Sequence, residues 1–161
     1  RMHGLDATAL RLFNVYGVEQ RADGAYAAVI PKFVDMMAKG VAPKINGDGL
    51  QTRDFIHVSD VNDAIMTLVN SAHGSIEYHV YNVATQTKIS LLELVREIND
   101  ILSELVPDFK PLVPTHGPER TGDIRHSLAS INRISSALDW KPSKDFKQGI
   151  QEIVIYRMKS M

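Results

Sequence analysis

The sequence contains no cysteine among its 161 residues, which excludes disulfide bonds and thiolate chemistry and leads us to expect a reducing, cytoplasmic setting. It also lacks a long apolar run. The longest, residues 25–30, is far shorter than the ~20 residues that a membrane-spanning helix needs. Neither sign of charge dominates, since 18 Lys and Arg are scattered along the chain against 19 Asp and Glu. The sequence therefore predicts no nucleic-acid partner and no membrane partner.

The remaining composition is typical of a folded domain, with 44% hydrophobic and 23% charged residues. Strand-like segments alternate with segments of helical periodicity, which predicts an α/β architecture. The predicted strands cover residues 7–15, 43–45, 53–58 and 80–83. The predicted helices cover residues 29–39, 61–69, 91–105, 131–138 and 145–158. We expect Asp60 to cap the second helix and Ser90 and Glu93 to form a capping box on the third.

Two motifs that many α/β enzymes carry are missing. The ten glycines never form the Gly-rich turn that binds a dinucleotide after a first strand, and there is no serine-nucleophile elbow. The first predicted strand, residues 7–15, is almost continuously apolar, as in a strand buried on both faces, but it has no neighbours with which to pair. We therefore expect residues 1–161 to be a single domain, the carboxy-terminal part of a larger protein.

The segment RLFNVYG, residues 11–17, places an amide side chain at the end of the first predicted strand. Ligands usually approach the carboxyl ends of parallel strands, so Asn14 is a candidate binding residue. The alternative is a turn-forming Asn before a loop glycine.

Arg53 is the second candidate, because it directly follows the tight turn at residues 46–49. A guanidinium held at the start of a strand could clamp a phosphate with two hydrogen bonds. The alternative is a surface ion pair beside a hairpin, which contributes little. We expect His57, on the same apolar strand, to be a core residue rather than a catalyst.

A third segment, ERTGDIRHS, carries Arg120 and Asp123 on either side of Gly122. Such a loop suits one ligand that presents both an anion and hydroxyl groups, although charged loops with glycine are common. A metal pair formed by Asp123 and His126 is disfavoured, since no further ligands follow at a suitable spacing.

Four blocks in this order resemble the NAD-dependent nucleotide-sugar epimerases of the extended short-chain dehydrogenase/reductase superfamily. The blocks are RLFNVYG, AYAAVIPKF, INGDGLQTRDF and RTGD, which begin at residues 11, 25, 45 and 120. The resemblance implies the substrate-binding domain of such an enzyme, with the last strand or strands of a Rossmann-like sheet, and a separate amino-terminal domain that binds NAD. It also implies a UDP-sugar substrate and a homodimeric parent.

The resemblance assigns a role to each matching position. Asn14 would bind the diphosphate together with Arg53 and Arg120, and Asp123 would accept hydrogen bonds from the ribose. Leu12 and Phe13 would lie against the nicotinamide end of NAD. The remaining substrate contacts would be Ala28, Val29 and Lys32 beside the nucleotide, the backbone of Lys44 and Asn46 at the uracil, and Ser127 near the sugar's 2-substituent. A small residue at position 127 implies room for an N-acetyl group, so both UDP-hexoses and UDP-N-acetylhexosamines are expected substrates.

The resemblance does not extend to the family's catalytic residues. The family oxidises the sugar transiently at carbon 4 with NAD, using a Tyr and a Lys in a Y-x-x-x-K pattern, and no tyrosine of this sequence has a lysine four residues later. We expect the catalytic residues to lie upstream of Arg1 and this chain alone to be inactive. Two alternatives stay open: the parent is a related nucleotide-sugar dehydratase or decarboxylase, or a non-catalytic nucleotide-sugar binder.

Overall fold

A computed structural model describes residues 7–23, 28–71 and 79–160 of the chain. Within these ranges lie eight short strands and five helices. The strands are β1 (Ala9–Leu12), β2 (Asn14–Tyr16), β3 (Lys44–Asn46), β4 (Thr52–Arg53), β5 (Phe55–His57), β6 (Val80–Val83), β7 (Ile89–Ser90) and β8 (Thr115–Gly117). The helices are α1 (Val29–Ala38), α2 (Val58–Asn70), α3 (Leu91–Leu105), α4 (Asn132–Leu138) and α5 (Phe146–Lys159). The predicted α/β architecture is confirmed.

The first predicted strand is two strands that pair with different partners. β1 pairs in parallel with β6, and β2 pairs in parallel with β5, so the expectation that this strand has no neighbours with which to pair is wrong. Between them, the Phe13 N–H still donates to the Val83 carbonyl (3.1 Å), whereas the Asn14 N–H donates to the Asp54 carbonyl (3.1 Å). The prediction of burial on both faces is wrong for β1, whose Leu12 is 47% exposed in this chain.

The hairpin that the alternative interpretation of Arg53 assumes at residues 46–49 does not form. β3 pairs in parallel with β8, and β4 pairs in antiparallel fashion with β7, so the strands on either side of the turn do not pair with each other. The turn itself forms as expected, because Gly47 and Gly49 adopt the left-handed φ values (+79° and +81°) that glycine favours. The turn residues fix the local bend, but the strand partners come from distant parts of the chain.

Two apolar clusters form the core. The first lies where α1, α3 and α5 pack together over β2 and β5, and the second lies between β5, β6, α2 and α4. The helix α5 approaches β2 so closely that a Cβ on Gly149 would lie 2.5 Å from the Tyr16 hydroxyl. Tyr16 is 3% exposed and meets Phe55 and Phe146 ring to ring.

The helix termini differ in how well the sequence predicts them. The capping box on α3 is confirmed: the Glu93 carboxylate accepts from Ser90 N (2.7 Å), and the Ser90 hydroxyl accepts from Glu93 N (3.2 Å). Asp60, in contrast, does not cap α2. The cap is His57, whose Nδ1 accepts from Ser59 N (3.2 Å), while Asp60 is buried in the first turn. In the described ranges, no helix is long and apolar enough to cross a membrane.

Candidate nucleotide-sugar site

Eight of the ten predicted substrate-binding residues line one cleft of about 420 Å³. The volume falls within the range of about 300–1,000 Å³ that small-molecule sites occupy. The cleft is formed by the start of β2, the first turn of α1, strands β3 and β4, and the loop after β8. The eight residues are Asn14, Val29, Lys32, Lys44, Asn46, Arg53, Arg120 and Asp123. Four are cationic and one is a carboxylate, so the cleft suits an anion.

Arg53 is held firmly at one wall of the cleft. Its Nη1 donates to the carbonyls of Thr52 (2.9 Å) and Ile124 (2.5 Å), and its Nη2 donates to Asp123 Oδ1 (2.5 Å). The Arg53 side chain is only 16% exposed. The ion pair is thus neither a pair with the neighbouring Asp54 nor one beside a hairpin. It joins two of the predicted motifs, because Asp123 lies 70 residues further along the chain.

The main chain of Asp54, the residue between β4 and β5, orients the Asn14 side chain. Its Nδ2 donates to the Asp54 carbonyl (3.1 Å), the same oxygen that accepts from the Asn14 backbone N–H. The side chain is half-buried and lines the cleft. Its position at the start of β2 rather than the end of β1 comes from the change of strand partner at Phe13.

The cleft is also lined by a residue that sequence reasoning missed. Gln51 is 5% exposed, its Nε2 donates to the Asn46 carbonyl (2.8 Å), and its Oε1 has no hydrogen-bond partner among the described residues. It lines both the cleft and an adjoining smaller pocket. A glutamine in a polar loop gives no sign of burial in the sequence, because its burial depends on the packing of distant segments.

Four predicted site residues lie outside the lining of the main cleft. Ala28 lines an adjoining cavity of about 110 Å³ together with Asn14 and Val29. The Ser127 backbone N–H donates to the Thr52 carbonyl (3.1 Å), which places Ser127 next to β4. Leu12 is exposed at the end of β1, and Phe13 packs against the second core cluster. Their predicted roles toward the sugar and NAD remain predictions.

A second ion pair fixes the loop at residues 46–49. Arg125 donates to both oxygens of Asp48 (2.7 and 2.6 Å), which lowers the pKa of that carboxyl to about 2. Arg125 thereby ties the turn after β3 to the loop that carries Arg120 and Asp123. His126 forms a hydrogen bond with β4, since its Nδ1 lies 3.0 Å from the Thr52 hydroxyl. Among the described residues, no group of three or more His, Asp or Glu is arranged to hold a metal ion.

His57 lies away from the cleft, as expected of a core residue. It is 6% exposed, and its ring meets Tyr16 edge-on with the centroids 5.3 Å apart. Burial lowers the pKa of its imidazole, although Glu152, whose Oε2 is 3.5 Å from Nε2, acts in the opposite direction.

Comparison with known proteins places these features in a family. A sequence profile of the NAD dependent epimerase/dehydratase family matches residues 1–84. A putative UDP-glucose 4-epimerase of Methanocaldococcus jannaschii is 35% identical over 96% of this chain and 46% of its own length. Other relatives are a UDP-N-acetyl-alpha-D-glucosaminuronate decarboxylase of Bacillus cytotoxicus (28% identical) and a dTDP-D-glucose 4,6-dehydratase of Bos taurus (30%). The chain spans about half the length of the curated relatives it matches.

Solved structures agree with the sequence comparison. The UDP-N-acetylglucosamine 4-epimerase of Methanobrevibacter ruminantium, in complex with UDP-N-acetylmuramic acid, superposes with a TM-score of 0.84 at 37% identity, over 99% of this chain and 48% of its own. The UDP-glucose 4-epimerase of Thermotoga maritima with UDP-glucose gives a TM-score of 0.86 at 28% identity, over 98% and 48%. The fold is therefore that of a part of the extended short-chain dehydrogenase/reductase fold. With more than half of its residues matched by the family profile, the chain belongs to the NAD dependent epimerase/dehydratase family.

Proposed function

We propose that this chain is the sugar-nucleotide-binding part of an NAD-dependent UDP-sugar 4-epimerase. The observation that carries the proposal is the convergence of eight predicted substrate-binding residues on one cleft, although they come from four separate parts of the sequence. Relatives and structural neighbours that are 4-epimerases support the same conclusion.

The diphosphate binds at the wall formed by Arg53, Arg120 and Asn14. Two guanidiniums balance the negative charge of a diphosphate. The Arg53 guanidinium is already held in place, so it needs no reorientation when the ligand binds. Asp123 holds Arg53 in place. Its carboxylate also lines the cleft and can accept hydrogen bonds from the ribose hydroxyls. The nucleoside then extends toward β3, where Lys44 and Asn46 present backbone groups to the uracil and Gln51 offers a buried amide oxygen.

When bound, NAD would supply the reversible hydride acceptor for the transient oxidation of the sugar at carbon 4. Of this chain's residues, only Leu12 and Phe13 are proposed to contact NAD, at its nicotinamide end. The sequence has neither a Gly-rich dinucleotide turn nor a Y-x-x-x-K pair, so we assign most of the NAD site and the acid/base residues to an amino-terminal domain outside this chain. This chain's residues bind and orient the sugar nucleotide, and alone they give no turnover.

The substrate class extends to UDP-N-acetylhexosamines if Ser127 borders the sugar, because a serine leaves space that an aromatic side chain would fill. The neighbour that binds UDP-N-acetylmuramic acid supports this choice. We further propose that the parent protein is a homodimer and that it is cytoplasmic. The lack of cysteine agrees with a cytoplasmic setting.

A dehydratase or a decarboxylase is the second candidate, since relatives with those activities match nearly as much of the chain. Both would use the same diphosphate wall, so the cleft does not separate them from an epimerase. A non-catalytic nucleotide-sugar binder is the third. The parent's products from UDP-glucose, UDP-N-acetylglucosamine and UDP-glucuronic acid separate these candidates. Inversion at carbon 4 indicates an epimerase, a 4-keto-6-deoxy sugar indicates a dehydratase, release of CO2 from the uronic acid indicates a decarboxylase, and no product from any of them indicates a binder.

Calorimetry tests the binding proposal on the 161-residue chain itself. We expect UDP and UDP-N-acetylglucosamine to bind weakly, and uridine without phosphate to bind more weakly still, because the cationic wall recognises the diphosphate. Equal binding of UDP and uridine, or no binding of either UDP ligand, would refute the assignment of the cleft.

A further inference from the structure

One buried carboxylate, Asp54, lies between the segments that carry the predicted site residues. It is 0% exposed and accepts four hydrogen bonds. Its Oδ1 accepts from the backbone N–H and the hydroxyl of Thr85, both at 2.8 Å. Its Oδ2 accepts from Gln86 N (3.0 Å) and Ala129 N (3.2 Å). A buried carboxylate is stable only when its oxygens are satisfied in this way, so the side chain has one fixed position.

The main chain of Asp54 connects this anchor to the cleft. Its carbonyl accepts from both the backbone N–H and the Nδ2 of Asn14, at 3.1 Å each. The preceding residue is Arg53, which also lines the cleft. Ala129, held by the carboxylate, follows the loop that carries Arg120 and Asp123. A single residue therefore contacts or adjoins all three segments that form the proposed diphosphate-binding part of the cleft.

We infer that Asp54 is a positioning residue for nucleotide-sugar binding. Its carboxylate fixes the main chain at β4 and β5, and through its carbonyl it orients the Asn14 amide relative to the Arg53 guanidinium. The inference rests on the proposed function, since it assumes that Asn14 and Arg53 receive the diphosphate. Asp54 itself does not line the cleft.

The chain offers a matched control in Asp60. This carboxylate is also buried (2% exposed) and also accepts hydrogen bonds from a distant loop, namely from Ser143 N (3.0 Å), the Ser143 hydroxyl (3.1 Å) and Lys144 N (3.2 Å). None of these residues lines the cleft. Loss of either carboxylate therefore destabilises the fold, but only loss of Asp54 should change the binding site.

The first test compares Asp54→Asn with Asp60→Asn by calorimetry with UDP and by thermal melting. In Asp54→Asn, an NH2 group must face either Thr85 N or the pair Gln86 N and Ala129 N, so at least one N–H loses its acceptor and the segment shifts. We expect both variants to melt at lower temperature. We expect the UDP affinity to fall about tenfold in Asp54→Asn, as for the loss of one charge-assisted contact, and less than about twofold in Asp60→Asn. Wild-type affinity in Asp54→Asn, or an equal loss in Asp60→Asn, overturns the inference.

A second pair of variants covers the case in which Asp54→Asn does not fold, and it also separates this inference from the proposed function. Thr85→Val removes one hydroxyl that donates to Asp54, and Ser143→Ala removes one that donates to Asp60. In ¹⁵N–¹H spectra without ligand, we expect the side-chain resonances of Asn14 to move in Thr85→Val and to stay in place in Ser143→Ala. Unmoved Asn14 resonances in Thr85→Val refute the positioning role whether or not UDP binds. Failure of wild-type UDP binding refutes the proposed function and, with it, the link from Asp54 to nucleotide binding.

Discussion

Replacement of Arg53 by alanine tests the diphosphate site most directly. The guanidinium has five N–H donors, and the bonds to Thr52, Ile124 and Asp123 use three of them, which leaves two for a ligand phosphate. Because the side chain is only 16% exposed, the contact with phosphate is shielded from solvent more than a surface ion pair is. Arg53→Ala removes this fork without touching the apolar core.

The expected loss follows from the charge of the contact. A hydrogen bond to a charged group contributes about 1.5–3 kcal/mol, which corresponds to a loss of about 10- to 150-fold in UDP affinity. A second effect has the same sign, since removal of Arg53 leaves the Asp123 carboxylate without its partner beside the phosphates. We therefore expect Arg53→Ala/Asp123→Asn to recover part of the loss, so that the two substitutions are not additive.

The assay is calorimetry with UDP at one fixed ionic strength, with a melting curve for each variant. Arg21→Ala is the control for a general loss of positive charge, because the Arg21 side chain is 82% exposed and pairs with Asp23, away from the cleft. An unchanged affinity in Arg53→Ala, or an equal loss in Arg21→Ala, would remove Arg53 from the site. Full additivity in the double variant would show that Asp123 acts independently of Arg53.

Three further predictions concern specificity, packing and pH. In the complete enzyme, Ser127→Tyr should lower the turnover of UDP-N-acetylglucosamine and leave that of UDP-glucose unchanged, because an aromatic ring excludes an acetamido group but not a hydroxyl. Steady-state rates that fall equally for both substrates would place Ser127 outside the sugar pocket. Gly149→Ala should lower the free energy of unfolding measured in urea. Overpacking against the buried Tyr16 costs about 1–3 kcal/mol, which outweighs the helix preference of up to ~1 kcal/mol that alanine gains over glycine. A more stable variant would contradict this close packing. Burial lowers the pKa of His57, so the folded chain binds fewer protons there than the unfolded chain, and stability should fall as the pH drops below about 6.5 toward the lowered value. His57→Gln should flatten that part of the stability–pH curve, and an unchanged slope would assign it to other groups.

The sequence alone determined the features that depend on neighbouring residues. The capping box of Ser90 and Glu93, the left-handed turn glycines at 47 and 49, and the helical register of α3 are set by local hydrogen bonds and by local conformational preference. The family resemblance also predicted ten substrate-binding residues, eight of which line one cleft. Such motifs are readable because each keeps its residue types at a fixed spacing.

Only the tertiary structure decided which segments meet. The sequence does not show that the strand at residues 7–15 changes partners at Phe13, that Arg53 pairs with Asp123 and not with Asp54, or that Asp54 and Gln51 are buried. An aspartate next to an arginine predicts a surface pair, and Asp54 is instead enclosed by loops 31 to 75 residues away. The physical reason is that burial and partner choice depend on which distant segments pack together, and this information is not contained in any short stretch of the chain.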